Sequence, residues 1–553
     1  MIIQGSLVFG MVLSSVITNT HLRVIVSKKL VIGAILLIVI ACVGVIEMKR
    51  YWNQQAGAEL AGIYCGNCHL EPEPDILPRH SWEVALGYMG GWLGIENIDY
   101  LAESPELART IVQNRHEVLR REGVFPSAPL LNQEDWALLR EYYLSSSPTR
   151  ALGQFNKPEL QLELPRFDVF RTSYNPSPAV TTLVHIREET GEIYVGDSLT
   201  QSLSVLDSDG QLLVSRQFRP AISPVDMQFV GETAYLGSIG DLGATQLASE
   251  RPAHISLLRL LDQEIANATS EIVIPNLFRM ADLELADLDG DSQLDLITSG
   301  FGSITGNVSM FKGLPGGLFE QEEEVLLNMP GAVKTEAYDF NDDGLLDVMA
   351  LISDAREGLY ILVNQSEGVF SQEMVFEAHP SYGHTYFELH DFNDDGLIDV
   401  LVTNGDNVDS DPYNTTKNYH GVRIYLNRGN YEFEEAYFYP MYGAFRAKAA
   451  DFDGDDDLDI AVTSFYANYA ADIPEVFTYL ENQGSFEFVP YTTELVNQGR
   501  WLSMDIGDVD GDQDVDVVLG GGYISVGLEA YPQVVERLSE FGEPVLILKN
   551  TLN

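Results

Sequence analysis

Short apolar runs alternate with acidic turns through the C-terminal two thirds of the chain. One acidic turn follows Phe387–His390 and precedes Val400–Thr403, and another precedes Ile460–Thr463. Runs of this length, rich in β-branched residues and bounded by turns, are typical of strands. Seven such units follow one another from about Thr181 to Asn553, and the first two lack the acidic turn. This repetition predicts an all-β, seven-bladed propeller of four-stranded sheets over residues 181–553.

Residues 52–147 carry a helical pattern instead. Helix-start signals at Ser104–Glu106 predict a helix to about Arg121, and Asn132 is the expected N-cap of another. The stretch SWEVALGYMG predicts a third, short helix. The sequence therefore indicates a small all-α domain, joined to the propeller by a linker over residues 148–180.

An uncharged, mostly Leu, Ile and Val segment of 17 residues runs from Leu30 to Ile46. We interpret residues 1–51 as an export signal or membrane anchor. Three alternatives stay open: an uncleaved anchor, a lipoprotein modified at Cys42, and a cleaved signal. Each places the protein in a bacterial cell envelope, on the periplasmic or cell-surface side.

Five acidic turns share one pattern, with Asp or Asn at positions 1, 3, 5 and 9 and Gly at position 4 or 6. An EF-hand would need an acid at position 12, where the first turn has Thr298. Converging oxygen ligands favour calcium, so we expect about five ions. The expected ligands are Asp287, Asp289, Asp291 and Asp295; Asp339, Asn341, Asp343 and Asp347; Asp391, Asn393, Asp395 and Asp399; Asp451, Asp453, Asp455 and Asp459; and Asp508, Asp510, Asp512 and Asp516.

The formal net charge of −51 restricts the partners. Phosphate groups would be repelled, so nucleic acid is excluded as an expected partner. Only three cysteines are present, which is too few for a disulfide framework.

Two of those cysteines stand in the motif Cys65-Gly-Asn-Cys68-His69. Thiols at this spacing add to the two vinyl groups of a haem, and the adjacent His reaches the iron. A zinc site would need a second pair of ligands. We therefore expect one covalent haem c. Met89 is the first candidate for the sixth iron ligand, with His116 and His80 as competitors.

The motif, with Pro72, Pro78 and Trp82 after it and the acidic repeats further on, resembles bacterial proteins that join a cytochrome c domain to FG-GAP/VCBS repeats. The resemblance covers most of residues 60–553. It implies one covalent haem, a calcium-binding propeller and a periplasmic or surface location. It implies no particular reaction.

The acidic turns join the first and second strands of their blades. In a propeller, all such turns lie on one face. Long insertions fall on the opposite face. We expect Asp406, Asn407, His420, Arg446 and Arg500 to gather there around one polar depression near the axis.

The leading hypothesis for function is an anchored, exported monohaem cytochrome that transfers electrons. Its propeller would be a binding platform for a redox partner protein, a carbohydrate or another polymer. The second hypothesis is a propeller dehydrogenase that passes substrate electrons to the haem, with the five polar residues as catalytic candidates. The third is an adhesion protein.

Overall fold

The computed structural model describes residues 28–102, 104, 106–218, 223–240, 242, 251–261, 264–366, 368–407, 411, 413–528 and 530–552. Residues 1–27 of the expected export segment lie outside them. Within the described residues, the chain forms an N-terminal helical unit followed by seven four-stranded sheets. Seven sheets in this order are the predicted seven-bladed propeller, and that prediction is confirmed.

Four helices form the N-terminal helical unit: α1 (Lys28–Tyr64), α2 (Arg79–Trp92), α3 (Glu106–Arg121) and α4 (Gln133–Ser146). The last begins as predicted, because Asn132 Oδ1 accepts the N–H of Asp135 at 2.9 Å. Helices α1 and α4 approach closely at Gly57, where a Cβ atom would lie 2.7 Å from the carbonyl oxygen of Leu138. Only glycine permits this contact.

The expected membrane segment over Leu30–Ile46 lies within α1, which continues beyond it to Tyr64. In the part of the chain that the structure describes, no helix combines the length and the apolar character needed to cross a membrane.

The propeller begins with two blades that lack acidic turns. Their strands are β2 (Thr181–Arg187), β3 (Glu192–Asp197), β4 (Ser202–Leu206) and β5 (Leu212–Gln217) in blade 1, and β6 (Pro224–Val230), β7 (Thr233–Ser238), β8 (Ala253–Leu261) and β9 (Glu264–Leu277) in blade 2.

The next five blades each contain one acidic turn. Blade 3 has β10 (Met280–Ala286), β11 (Asp295–Gly300), β12 (Val308–Phe311) and β15 (Glu324–Leu327), with a hairpin of β13 (Gly313–Leu314) and β14 (Leu318–Phe319). Blades 4 and 5 have β16 (Ala332–Tyr338), β17 (Asp347–Ile352), β18 (Gly358–Asn364) and β19 (Phe370–Glu377), then β20 (His384–His390), β21 (Asp399–Asn404), β22 (Gly421–Asn427) and β23 (Phe433–Pro440). Blade 6 has β24 (Ala444–Ala450), β25 (Asp459–Ser464), β26 (Phe477–Asn482) and β27 (Phe488–Tyr491).

Blade 7 is assembled from two distant parts of the chain. It contains β28 (Trp501–Gly507), β29 (Asp516–Gly521) and β30 (Val545–Asn550), with helix α5 (Pro532–Phe541) between the last two. Its fourth strand is β1 (Phe167–Arg171), which pairs antiparallel with β30. This strand lies inside the stretch that we expected to be a linker. Phe167 is buried against Phe452 and Tyr479 of blade 6, which explains why this short segment joins the sheet.

Every inner strand carries the same irregularity. In all seven blades, the register of pairing between the first and second strands shifts between the first and third residues of the first strand. A bulge of this kind re-aims the side chains that follow it. The first and third residues are Thr181 and Leu183, Pro224 and Asp226, Met280 and Asp282, Ala332 and Lys334, His384 and Tyr386, Ala444 and Arg446, and Trp501 and Ser503.

Candidate functional site

The CxxCH motif immediately follows α1. Cys65 is buried in the core of the helical unit beside Trp82 and Tyr143, whereas Cys68 is exposed. His69 is half-buried, and its Nδ1 donates to the carbonyl oxygen of Leu70 at 2.9 Å. This bond fixes the tautomer and leaves Nε2 with its lone pair, which is the arrangement that a metal-binding histidine adopts.

Burial sets the protonation of these groups. It lowers the pKa of His69, so the imidazole is neutral near pH 7. It also raises the pKa of the Cys65 thiol to about 11. Two free thiols and a neutral imidazole form the donor set that covalent haem attachment requires. The residues present therefore fit a haem c, which Cys65 and Cys68 would attach and His69 Nε2 would bind at the iron.

The motif lies against the propeller. Arg356, in the turn between β17 and β18, donates from Nε to the carbonyl oxygen of Cys68 at 3.0 Å. Glu377 and Arg356 both influence the pKa of His69, with opposite signs. The contacting turn joins the second and third strands of its blade, so the motif faces the side opposite the acidic turns.

The same side of the propeller holds α2. Ser81 is fully buried and contacts Asp411 and Thr415, which belong to the long insertion of blade 5. The rings of His80 and Tyr413 pack edge to face with centroids 4.9 Å apart. His80 therefore takes part in the contact between the helical unit and the propeller.

Met89 and His116 occupy different environments. Met89 is half-buried and packs against the cluster that contains Val84 and Tyr88, not against the cluster around Cys65. His116 is buried, and its Nε2 donates to the carbonyl oxygen of Gly87 at 2.9 Å. That bond joins α3 to α2, which gives His116 a structural role independent of any metal.

The five acidic turns adopt one backbone conformation. Positions 4 and 6 have positive φ in every turn, for example Gly290 at 76° and Ser292 at 70°. Glycine adopts this conformation without steric cost, which explains why one of the two positions is always glycine. The other position holds Ser292, Asp342, Asp394, Asp456 or Gln513. In each turn the N–H of position 6 donates to the Asp at position 1, as Ser292 does to Asp287 at 2.9 Å.

Positions 1, 3 and 5 leave carboxylates close together at the surface. Their oxygens lie within 4.8 Å of one another in the turns Asp287–Asp289–Asp291 and Asp508–Asp510–Asp512, and Asp451 and Asp453 group likewise with Asp459. In the turns starting at Asp339 and Asp391, the position 3 residue is an asparagine, Asn341 or Asn393, beside Asp343 or Asp395. These oxygen sets fit calcium.

Position 9 has a structural role that the sequence did not reveal. Asp295 is buried, and its two oxygens accept the N–H groups of Leu288 at 3.0 Å and Gly313 at 2.8 Å. The equivalent residues bond in the same way, from the turn on one side and from the third strand on the other: Asp347, Asp399, Asp459 and Asp516. Position 9 thus ties each turn to its blade.

The five polar residues expected around one depression are placed differently. Arg446 lines a cavity on the propeller axis, whereas Asn407, His420 and Arg500 are each no more than 2% exposed and lie in or beside the insertions. Asp406 is half-buried, with its N–H bonded to the carbonyl oxygen of Gly383. Asp406, Asn407, His420 and Arg500 lie on loops as expected, whereas Arg446 lies within β24. Asn407, His420 and Arg500 are buried, so the five residues do not share one open depression.

The buried members hold the insertions in place. Arg500 donates to the carbonyl oxygens of Phe465 at 2.9 Å and Val526 at 2.6 Å. Asn407 accepts from Lys417 Nζ. Burial lowers the pKa of His420 well below its ordinary value, so its ring is neutral.

The sequence indicated His384 on this side, but not that Glu357 forms a buried acid–base pair with it. His384 Nδ1 lies 2.7 Å from Glu357 Oε2, and neither side chain is more than 2% exposed. Burial raises the pKa of Glu357 to about 8 and lowers that of His384 to about 3. Glu357 follows a charged turn, a sequence context that ordinarily indicates an exposed side chain.

Comparison with known proteins supports the repeats. Residues 339–402 and 391–462 match the model of the FG-GAP-like repeat. No curated protein matches the chain.

Several solved structures are similar to this chain over 69–71% of its length. They include the Pan2 WD40 domain of Neurospora crassa (10% identity, 71% of this chain and 98% of that chain, TM-score 0.42) and Sqt1 of Saccharomyces cerevisiae (9%, 69% and 100%, 0.38). A third is a lectin of Agrocybe aegerita described as recognising non-reducing terminal N-acetylglucosamine (12%, 69% and 99%, 0.36). Likenesses at these scores carry no argument about function. What the sheet order and the family match establish together is a seven-bladed β-propeller that contains FG-GAP-like repeats.

Proposed function

We propose that this protein is an exported monohaem c-type cytochrome whose calcium-stabilised propeller is a binding platform for a redox partner. The observation that carries the proposal is the CxxCH motif, held against the propeller by Arg356, with His69 oriented by its bond to Leu70. A haem bound there would carry one electron at a time. Covalent attachment takes place outside the cytoplasm, so the proposal includes export to the cell envelope.

The protein's own residues would control that haem in three ways. The core around Cys65 excludes water from one attachment point. The bond from His69 Nδ1 to the Leu70 carbonyl raises the basicity of the ligating nitrogen. The propeller contacts the motif at the Cys68 carbonyl through Arg356, so a partner bound to the neighbouring insertions would be close to the haem.

Cysteine variants test the haem directly. The chain would be produced in a host that attaches haem in the periplasm, and the denatured protein would be examined for haem absorbance after gel separation. We expect haem to stay with the wild-type chain and with Cys42→Ala, which is the matched control. Cys65→Ala and Cys68→Ala should each lose at least one thioether bond. Wild-type chains without haem would refute the proposal.

A second candidate is an oxidoreductase that delivers substrate electrons to the haem. It is favoured by one observation: the motif lies on the side of the propeller that carries the long insertions and the buried pair Glu357–His384. Substrate-driven reduction of the haem, followed at its visible absorption bands with candidate sugars, alcohols and quinones, separates this candidate from the platform.

A further inference from the structure

The propeller axis carries a cavity of about 280 Å³ that the third residues of all seven inner strands line. The shared bulge before each of these residues aims it at the axis. Charge is divided around this ring. Blades 2 and 3 contribute Asp226 and Asp282, blade 4 contributes Lys334, and blade 6 contributes Arg446. With seven blades in order, blade 6 stands across the axis from blades 2 and 3.

The two acids are already bonded to the fold. Asp226 Oδ2 accepts the N–H of Leu283 at 2.9 Å, and Asp282 Oδ2 accepts the N–H of Thr335 at 2.8 Å. Each therefore ties its own blade to the inner strand of the next one. Burial, followed by the proximity of Asp226, raises the pKa of Asp282 to about 8. The two carboxyl groups therefore carry fewer than two negative charges near pH 7, and both still offer oxygen acceptors to a ligand.

On the basic side, both lysines have acidic partners. Lys334 pairs with Glu336 at 3.1 Å, and Lys448, from the next layer of blade 6, pairs with Glu388 at 2.8 Å. Among the described residues, Arg446 forms no ion pair, and its Nε is buried without a hydrogen-bond partner. Its guanidinium lies 4.9 Å from the centre of the Tyr386 ring.

An arginine that has no ion-pair partner and a buried Nε without an acceptor is suited to bind an anionic ligand. A guanidinium offers five N–H donors in a planar fork, and a buried donor without an acceptor costs free energy. Contact with the Tyr386 ring holds the fork in place but supplies no acceptor for Nε. A carboxylate would supply two acceptors in matching geometry.

We propose that the axial cavity binds a small organic carboxylate that carries hydroxyl or ammonium groups at its other end. The carboxylate would accept from Arg446, and the donors at the other end would face Asp226 and Asp282 across the axis. The cavity would therefore favour a ligand that has a carboxylate at one end and hydrogen-bond donors at the other. This site goes beyond the proposed electron transfer and does not depend on the haem.

Calorimetric titration of the full-length chain in calcium-containing buffer tests this site. The probes are gluconate, with a carboxylate and hydroxyls, and 6-aminohexanoate, with a carboxylate and an ammonium group. Sorbitol lacks the carboxylate, and hexanoate lacks the donors. We expect at least one of the two probes to bind with one site per chain, and both controls to bind at least about tenfold more weakly. Binding by neither probe, or equal binding by its control, would overturn the proposal.

Substitution of the arginine locates the site. Arg446→Gln should weaken probe binding at least about tenfold, because the charged fork is lost. Arg428→Gln is the matched control, since Arg428 lies on the surface beside Glu434 and should leave binding unchanged. Arg446→Lys keeps the charge but not the fork and should also bind more weakly than wild type. If both Arg446 variants fold, as judged by their melting temperatures, and bind as wild type does, the proposal fails. If Arg446→Gln does not fold, Arg446→Lys decides.

Discussion

Ser81 in helix α2 donates its hydroxyl hydrogen to Asp411 in the blade 5 insertion at 3.1 Å, and both side chains are fully buried. Asp411 also accepts the N–H groups of Tyr413 and Thr415. The Asp411 carboxylate therefore holds the conformation of the insertion and also binds the helical unit. This arrangement makes the two parts of the chain one structural unit at the side where the CxxCH motif lies.

The first prediction concerns this contact. A double-mutant cycle of Ser81→Ala and Asp411→Ala, measured by chemical unfolding, should give a coupling free energy of about 1–3 kcal/mol, because a buried hydrogen bond to a charged group is lost. Asp411→Ala alone should be the more destabilising change. Ser104→Ala, which removes a bond to Glu83 within the helical unit, is the control and should show no coupling to Asp411→Ala. Additive effects of Ser81→Ala and Asp411→Ala would contradict the prediction.

The second prediction separates the two kinds of aspartate in an acidic turn. Asp291→Asn, at exposed position 5, should lower the number of calcium ions bound per chain by one and leave the melting temperature in chelator unchanged. Asp295→Asn, at buried position 9, should cost about 1–3 kcal/mol with or without calcium, because it disturbs bonds to two main-chain N–H groups. Metal analysis and thermal unfolding with and without chelator make the measurement. Equal melting temperatures of the two variants in chelator would contradict these separate roles of positions 5 and 9.

The third prediction concerns the sixth iron ligand. In the haem-loaded protein, Met89→Ala should remove the weak sulfur-to-iron absorption band and admit exogenous ligands. His116→Ala should keep that band and lower stability, because the bond to the Gly87 carbonyl is lost. The opposite result, a changed spectrum only in His116→Ala, would assign the iron to His116.

The fourth prediction follows from Glu357 and His384. Burial raises the pKa of Glu357 from 4.5 to about 8, so the folded chain retains a proton there that the unfolded chain releases, and stability is lost as pH rises through about 8. Burial lowers the pKa of His384 from 6.5 to about 3, so its contribution is lost as pH falls below 6.5. Glu357→Gln should therefore reduce the loss of unfolding free energy between about pH 6.5 and pH 8 relative to wild type.

Chemical unfolding of both proteins across that pH range gives the difference. Glu434→Gln, at an exposed position, is the control and should follow wild type. Parallel curves for wild type and Glu357→Gln would show that Glu357 does not titrate in this window.

The blades and acidic turns were predictable because their signals are local and repeated. Strand periodicity and the left-handed positions of the turns are fixed within a few residues, so each copy carries the same pattern. The helices at Glu106 and Gln133 were predictable for the same reason, since caps and apolar spacing lie close together in sequence.

The rest depended on contacts between distant residues. Asn407, His420 and Arg500 were placed on the correct loops, but their burial is decided by insertions that fold over them. Arg446 follows a bulge, and a one-residue shift in a strand changes the direction of its side chain. Strand β1 has no partner near it in sequence, since β30 lies more than 300 residues away.

That pairing of β1 with β30 has a consequence for the protein during its synthesis. The first propeller strand leaves the ribosome early and must wait for the last one before the ring can close. Until then, β1 has no partner and the edge of the first complete blade faces an open gap, a surface that pairs readily with other chains. Chains interrupted before Val545 would therefore keep an open ring, however many blades they had completed. Closure of the ring thus requires the last strand of blade 7.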